Sequence, residues 1–303
     1  MLNYKLDPKP NDFESYWKQA LHEMRLVPYA FQIISTEKKE KIDEVSYFHY
    51  QGAKREKIYG FYMKHDGPKR PTVLSFHGYN YHKGQPEDFM DFYQLGLNVF
   101  SIDIRGQRGL SQDRYPYLSG DHRLMTRGIL EKNDYYMKHV YQDGINLIHL
   151  VKTLDFVAED KVILQGGSQG GGIVLALAAL TDVFLVYADV PSFTYFRGRM
   201  DTKNGSIREI EDFVKEKNLN REEIIGNVQY VDLVHLVPWI KAPVMISVGG
   251  KDDICPAKYF MIAYDKITAK KSIYEYPDAG HEGGKEIHRN IIINDMKENI
   301  FGH

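Results

Sequence analysis

Cysteine is almost absent from this 303-residue chain: Cys255 stands alone, which excludes an internal disulfide and a cysteine-based zinc cluster. Neither sign of charge is in excess, because 39 lysines and arginines face 41 aspartates and glutamates, so nothing indicates nucleic acid or an anionic membrane as a partner. The longest apolar run, residues 173–180, is far shorter than the ~20 residues of a membrane-spanning helix. The first residues carry charge and proline without the apolar stretch of a secretory signal, so we expect a cytoplasmic protein.

What the chain does have is a composition suited to a sizeable core, with 43% apolar and 13% aromatic residues. Apolar residues recur at helical spacing from Phe13 to Met24, after an apparent capping box at residues 11–14, and predict an amphipathic helix. Residues 45–50 and 58–64 are rich in β-branched and aromatic side chains and predict an antiparallel hairpin.

Beyond Pro71, short apolar segments alternate with helical ones. Strands without polar alternation are typical of a sheet covered on both faces, so the pattern predicts an α/β protein with a mostly parallel, doubly wound sheet. The charged segment 201–221 predicts a helical insertion that serves as a lid or an oligomer contact. No linker divides the chain, so we expect one domain over residues 1–303, with the N-terminal helix and hairpin at about 11–64. The predicted core strands are residues 72–76, 98–102, 162–164, 184–190 and 244–248.

The strongest local signal is the segment 166–170, whose sequence Gly-Gly-Ser-Gln-Gly fits G-x-S-x-G. A predicted strand precedes it and an apolar helical run follows, which is the strand–turn–helix context of a nucleophilic serine. The helix N-terminus favours negative charge near Ser168. An ordinary glycine-rich turn or a phosphate-binding loop is the alternative, whereas a dinucleotide fingerprint would need G-x-G-x-x-G, which this segment lacks.

Partners for that serine follow in the order serine, aspartate, histidine. Asp252 and Asp253 come just after a predicted core strand, at the sheet edge where sites form, and His281 follows a further predicted strand at 273–276. Serine is a poor nucleophile until an oriented imidazole takes its proton, so we expect Ser168 as nucleophile, His281 as general base and acid, and Asp252 as the orienting carboxylate. Spacing barely separates Asp252 from Asp253. Either aspartate can instead be a helix cap, and the histidine an ordinary surface residue.

Acyl transfer also needs N–H donors for the developing oxyanion, each worth about 10²–10³ in rate. We expect them to be the backbone N–H of Gln169, after the nucleophile, and that of Tyr79, in the loop after the strand 72–76. A plain turn is the alternative for this loop. His281 begins a match to H-E-x-x-H, but Lys285 stands where the second histidine belongs, so no metal is expected.

Taken together, these motifs resemble carbohydrate esterase family seven, the acetyl xylan esterase and cephalosporin C deacetylase group. In its acid loop the family's aspartate lies four residues before a proline, as Asp252 does before Pro256, which favours Asp252 over Asp253. The resemblance implies an α/β-hydrolase fold, a serine esterase that removes acetyl groups from short acetylated sugars and from cephalosporin C, no cofactor, and a homohexameric ring. It covers nearly the whole chain and rests on Phe-His-Gly-Tyr-Asn (76–80), Arg-Gly-Gln (105–107), Gly-Gly-Ser-Gln-Gly-Gly (166–171) and His-Glu (281–282).

Within the Arg-Gly-Gln segment, the resemblance marks Arg105 and Gln107 as pocket or structural support, and an arginine on such a loop either braces neighbouring turns or touches substrate. The sequence departs from the family pattern at Val190, Ser192 and Val231, which leaves substrate preference open.

Two other functions also stay open. One is a peptidase or longer-acyl carboxylesterase of the same fold, and the other is a catalytically silent binding protein. The expected partner is a small acetylated sugar or a cephalosporin-like molecule, with no nucleic acid and no membrane.

Overall fold

The computed structural model describes residues 4–302, and within them nine strands form one sheet. The strands are β1 (Gln32–Lys39), β2 (Ile42–Gln51), β3 (Lys57–Lys64), β4 (Arg70–Phe76), β5 (Asn98–Ile102), β6 (Val157–Gly167), β7 (Leu185–Asp189), β8 (Val244–Gly249) and β9 (Lys271–Tyr276). The α-helices are α1 (Phe13–Arg25), α2 (Met90–Gln94), α3 (Tyr136–Val151), α4 (Gln169–Leu180), α5 (Phe196–Met200), α6 (Arg208–Glu216), α7 (Arg221–Val228), α8 (Leu233–Leu236), α9 (Ala257–Tyr264) and α10 (Lys285–Phe301).

The sheet has the spatial order β1-β2-β3-β5-β4-β6-β7-β8-β9. From β5 to β9 in that order the strands are parallel, whereas β1, β2 and β3 pair antiparallel and β3 joins β5 antiparallel. The predicted parallel sheet and the predicted hairpin are both confirmed, the latter as β2 and β3. The order reverses at β4, which has β5 on one side and β6 on the other, so the carboxyl ends of β4 and β6 flank a topological switch point where ligands bind in open α/β sheets.

Neighbouring residues of the central strands pack into two different cores. On β4, Leu74 contributes to the core shared with α3 and α4, whereas Val73 contributes to the core shared with α2 and α10. Phe100 and Val99 of β5 divide in the same way. Both faces of the sheet are therefore covered, which explains why these strands lack polar alternation. Each fully buried side chain of this size contributes about 1.5–3 kcal/mol to folding.

The edge strand β1 was not predicted. Its residues are almost all exposed, so no buried face imposed an alternating apolar pattern on the sequence. The N-terminal helix was predicted, but its capping box does not form. The carboxylate of Asp12 hydrogen-bonds Lys132 Nζ and the Tyr230 hydroxyl instead of the helix backbone.

The helical insertion is longer than the predicted residues 201–221. It runs between β7 and β8 and comprises α5, α6, α7 and α8. Charged residues mark its exposed faces, but buried side chains such as Phe196, Ile224 and Leu233 anchor it on either side of the charged stretch. No helix between residues 4 and 302 combines the length and the apolar character that crossing a membrane requires.

Candidate active site

Ser168 occupies a sharp turn between β6 and α4. Its backbone has φ 57° and ψ −117°, in a region that favours glycine and costs a non-glycine residue about 1–3 kcal/mol. Three backbone hydrogen bonds hold this conformation: its N–H donates to the Asp189 carbonyl at 2.8 Å, and its own carbonyl accepts from the N–H groups of Gly172 and Ser192, each at 3.0 Å. The turn thus presents the serine hydroxyl at the carboxyl end of the sheet.

Glycines around the serine allow two backbone segments to approach closely. A Cβ atom at Gly170 would lie 1.9 Å from the Phe76 carbonyl oxygen, and one at Gly166 would lie 2.5 Å from the Gly170 carbonyl carbon. No side chain fits at either position without moving the backbone. The loop after β4 is therefore held directly against the turn that carries Ser168.

The structure brings the three expected side chains into one hydrogen-bonded chain. Ser168 Oγ lies 2.8 Å from His281 Nε2, and His281 Nδ1 lies 2.9 Å from Asp252 Oδ2. The other carboxylate oxygen, Oδ1, accepts the backbone N–H groups of Ile254 and Cys255, each at 2.8 Å. Burial acts to raise the pKa of Asp252, but the hydrogen bonds from His281 and Cys255 outweigh it, so the pKa is lowered and the group stays ionised.

Asp253, the alternative aspartate, takes no part in the hydrogen bonds between Ser168, His281 and Asp252. Asp253 is exposed and accepts a hydrogen bond from Asn204 Nδ2 at 2.6 Å. The loops that carry the acid and the histidine also touch each other: a Cβ at Gly249 would lie 2.1 Å from the Gly280 carbonyl oxygen. This contact fixes the spacing between the two side chains through the backbone.

The two expected oxyanion donors, the N–H groups of Tyr79 and Gln169, belong to residues that line the same cleft as Ser168. Neither N–H donates a hydrogen bond to an acceptor within residues 4–302. Gln169 is the first residue of α4, so its N–H lies at the positive end of a helix dipole.

A half-buried histidine that was not predicted supports the Tyr79 loop. His77 Nε2 accepts the Ile104 N–H at 2.9 Å, which leaves Nδ1 to donate to the Gly78 carbonyl at 2.7 Å. Burial lowers the pKa of His77 to about 4, so the ring is neutral and holds one tautomer. Only its place beside Gly78, directly after β4, marked it in the sequence.

Gln107 links the two loops that supply the donors. Its Oε1 accepts the Asn80 N–H at 2.6 Å, and its Nε2 donates to Gln169 Oε1 at 2.9 Å and to the Tyr136 hydroxyl at 3.1 Å. The amide therefore fixes the loop after β4 relative to the start of α4.

Arg105 lies away from the cleft and is completely buried. Its Nε and Nη2 donate to the two oxygens of Asp143 at 2.6 and 2.7 Å, Nη2 also donates to the Ala53 carbonyl at 2.8 Å, and Nη1 lies 3.5 Å from Asp113. Of the two roles left open by the sequence, these contacts favour bracing.

An open cleft with a volume of about 800 Å³ lies over Ser168 and His281. The insertion forms one wall, to which it contributes Arg199 and Glu209, and neither residue was singled out from the sequence. Glu209 Oε1 accepts the Tyr79 hydroxyl at 2.7 Å, and burial together with this carboxylate raises the pKa of Tyr79 far above its usual value.

Among the three departures from the family pattern, Ser192 lines this cleft, whereas Val190 and Val231 are buried and do not. Of these three positions, Ser192 is therefore the one that borders the cleft.

A mostly parallel sheet covered by helices on both faces, with a strained serine after β6 and its partners after β8 and β9, defines the α/β-hydrolase fold. The chain belongs to the acetyl xylan esterase family: the family model described as "Acetyl xylan esterase (AXE1)" matches residues 2–298. This family indicates a carboxylic ester hydrolase that acts on acetyl esters.

Three known proteins that are similar to this chain are described as an acetyl esterase or as acetyl xylan esterases. The acetyl esterase Axe7A of Xylanibacter ruminicola is 28% identical over 277 residues, which cover 86% of this chain and 61% of that protein, so the chain spans about three-fifths of that curated relative. An acetyl xylan esterase from Paenibacillus sp. R4 superposes with a TM-score of 0.91 at 27% identity, covering 97% of both chains. The crystal structure of acetyl xylan esterase 1 from Thermoanaerobacterium sp. JW/SL YS485 gives a TM-score of 0.89 at 30% identity, covering 97% of this chain and 95% of that one.

Proposed function

We propose that this protein is a serine esterase that releases acetate from acetylated saccharides through an acyl-enzyme on Ser168. The observation that carries the proposal is the hydrogen-bonded chain from Ser168 Oγ through His281 to an ionised Asp252. Such a chain makes a serine hydroxyl nucleophilic, because the imidazole takes its proton while the carboxylate stabilises the imidazolium that forms.

In the first half-reaction, Ser168 Oγ attacks the acetyl carbonyl carbon and its proton passes to His281 Nε2. The resulting oxyanion accepts hydrogen bonds from the N–H groups of Tyr79 and Gln169. The bond between the carbonyl carbon and the sugar oxygen then breaks, and His281 protonates the departing oxygen. In the second half, water attacks the acyl-enzyme, His281 takes its proton and returns it to Ser168 Oγ, and acetate leaves.

The test is hydrolysis of 4-nitrophenyl acetate by Ser168→Ala. Because loss of the nucleophile in a serine hydrolase of this kind lowers kcat by about 10⁶-fold, we expect activity near the uncatalysed background. Ser35→Ala, a change on the exposed strand β1, is the matched control and keeps wild-type kcat. Retention of most activity by Ser168→Ala would eliminate the assignment.

Two further measurements separate the alternatives. Labelling of Ser168 by a fluorophosphonate probe requires an activated serine, so absence of labelling would favour a silent binding protein. Comparison of acetate with octanoate esters and a peptide substrate distinguishes a deacetylase from a longer-acyl esterase or a peptidase. We expect the acetate ester to be preferred.

The resemblance to carbohydrate esterase family seven supports two finer proposals, that cephalosporin C is a substrate and that the protein assembles into a homohexamer. We also infer that the protein is cytoplasmic, as its composition led us to expect. Acetate release from cephalosporin C, sedimentation velocity and cell fractionation test them in turn, and a monomer in sedimentation would discard the hexamer.

A further inference from the structure

Arg199, at the end of α5, is a buried arginine with no acidic partner within residues 4–302. Its side chain lines the cleft and the residue is only 2% exposed. Its guanidinium forms no ion pair with any carboxylate in the described part of the chain. Two other buried arginines differ in this respect, since Arg105 pairs with Asp143 and Arg197 pairs with Asp7.

Most of the hydrogen-bonding capacity of Arg199 is unused. A guanidinium carries five N–H donors and stays charged at any physiological pH. Nη2 donates to the Ile254 carbonyl and lies 3.9 Å from Cys255 Sγ. Nε is fully buried and has no hydrogen-bond acceptor within residues 4–302. An unpaired buried charge is costly to keep unless a ligand supplies the opposite charge.

The cation shares a wall of the cleft with the nucleophile. The Ser192 N–H donates to the Ser168 carbonyl at 3.0 Å, and on the Arg199 side Cys255 Sγ lies 3.9 Å from the guanidinium Nη2. All four residues line the same cleft. A group bound at Arg199 therefore lies in the same cleft as an ester at Ser168.

The acidic side chains of the cleft are held by other donors. Glu209 accepts the Tyr79 hydroxyl at 2.7 Å and the Met125 N–H at 3.3 Å. Asp253 accepts from Asn204, as described above. Neither carboxylate forms an ion pair with Arg199, so the positive charge of Arg199 remains available to a ligand.

We propose that Arg199 binds a carboxylate on the alcohol part of the substrate, so that the preferred substrates are acetyl esters of acidic saccharides, such as those with uronic acid units. This inference rests on the proposed function, in which the acyl part is an uncharged acetyl group and only the alcohol part can carry the negative charge. A planar guanidinium matches the two oxygens of a carboxylate, which gives geometric specificity as well as attraction.

The experiment compares an acetylated methyl glucuronide with its methyl ester, two substrates that differ at one carboxyl group. Because a hydrogen bond to a charged group contributes about 1.5–3 kcal/mol, we expect wild-type kcat/KM to favour the free acid by about 10- to 100-fold. Arg199→Gln abolishes this preference, and Arg199→Lys retains part of it. Arg208→Gln, which alters an arginine paired with Asp212 on α6, is the matched control and keeps the wild-type ratio.

A second measurement needs no variant. Glucuronate should inhibit wild-type hydrolysis of 4-nitrophenyl acetate with an inhibition constant about tenfold or more below that of glucose. Equal inhibition by the two sugars, equal rates on the two esters, or an unchanged ratio in Arg199→Gln would each overturn the inference. An Arg199-dependent preference for a 4-nitrophenyl hemisuccinate over the acetate would place the charge on the acyl part and overturn it as well. Absence of wild-type activity on 4-nitrophenyl acetate would instead overturn the proposed function itself.

Discussion

Replacement of Gln107 by leucine tests whether side-chain hydrogen bonds set the position of the oxyanion donors. The amide of Gln107 holds the Asn80 N–H at 2.6 Å and Gln169 Oε1 at 2.9 Å, so it joins the two loops that supply those donors. Each such bond contributes about 0.5–1.5 kcal/mol net, so Gln107→Leu should lower the free energy of unfolding by about 1–3 kcal/mol. Urea denaturation measures this loss.

The catalytic effect should be larger than the loss of stability implies. A loop released from Gln107 no longer holds the Tyr79 N–H in place, so we expect kcat on 4-nitrophenyl acetate to fall by about 10- to 10³-fold, the upper limit being the loss of one donor. KM should change little, because the donors act on the oxyanion of the transition state rather than on the bound ester.

A buried glutamine outside the cleft provides the control. Gln142 of α3 donates to the Ala20 carbonyl at 3.3 Å and to Glu23 at 3.2 Å, both on α1, and it does not line the cleft. Gln142→Leu should lose a comparable free energy of unfolding and keep kcat within about twofold of wild type. If Gln107→Leu is destabilised as expected yet also keeps wild-type kcat, the amide does not position the donors and the reasoning fails.

Three further predictions follow from the site and its surroundings. Asp252→Asn should lower kcat by about 10⁴-fold, because an amide favours the wrong imidazole tautomer, whereas Asp253→Asn should keep kcat within about twofold of wild type. Steady-state kinetics measures both variants, and equal losses of kcat would contradict the prediction. The pKa of His77 lies near 4 in the folded protein, below its value in the unfolded chain. The neutral ring therefore contributes about 3 kcal/mol to the free energy of unfolding above pH 6.5, and this contribution is lost as the pH falls towards 4. Urea denaturation between pH 6.5 and 4 should show a smaller loss of the free energy of unfolding for His77→Gln than for the wild type. An identical pH dependence of that free energy in the two proteins would refute the assignment. Gly170→Ala should prevent folding or lower the free energy of unfolding by more than about 3 kcal/mol, because the new Cβ meets the Phe76 carbonyl. Gly226→Ala, in open space on α7, should instead raise the free energy of unfolding by about 0.5–1 kcal/mol. Thermal denaturation of the two variants checks the difference.

The sequence was most informative where local chemistry imposes a pattern. Strands covered on both faces must be apolar throughout, and a tight turn around a serine must have glycines at fixed positions, so β4, β6 and the segment 166–170 could be located directly. The order of Ser168, the aspartate and His281 followed from the fold that these elements predict.

What the sequence could not determine depends on contacts between distant segments. Spacing alone did not separate Asp252 from Asp253, because the choice is made by the direction in which a loop presents its N–H groups to one carboxylate. The role of His77 depends on the Ile104 N–H from another strand end. The lack of an ion pair between Arg199 and any carboxylate of residues 4–302 is equally invisible in a linear chain, since an unpaired charge is recognised only when its neighbours are known.

The close backbone approach at Gly170 and Gly249 has a consequence for how such a protein can diverge. The spacing of the reacting groups is fixed by main-chain atoms of the sheet edge, whereas the wall that carries Arg199 and Glu209 is made of side chains from the insertion. Mutations in the insertion can therefore retune which alcohol is accepted while the proton-transfer machinery stays intact. The segments free to change during evolution and the segments that must stay rigid for catalysis are therefore different parts of one polypeptide.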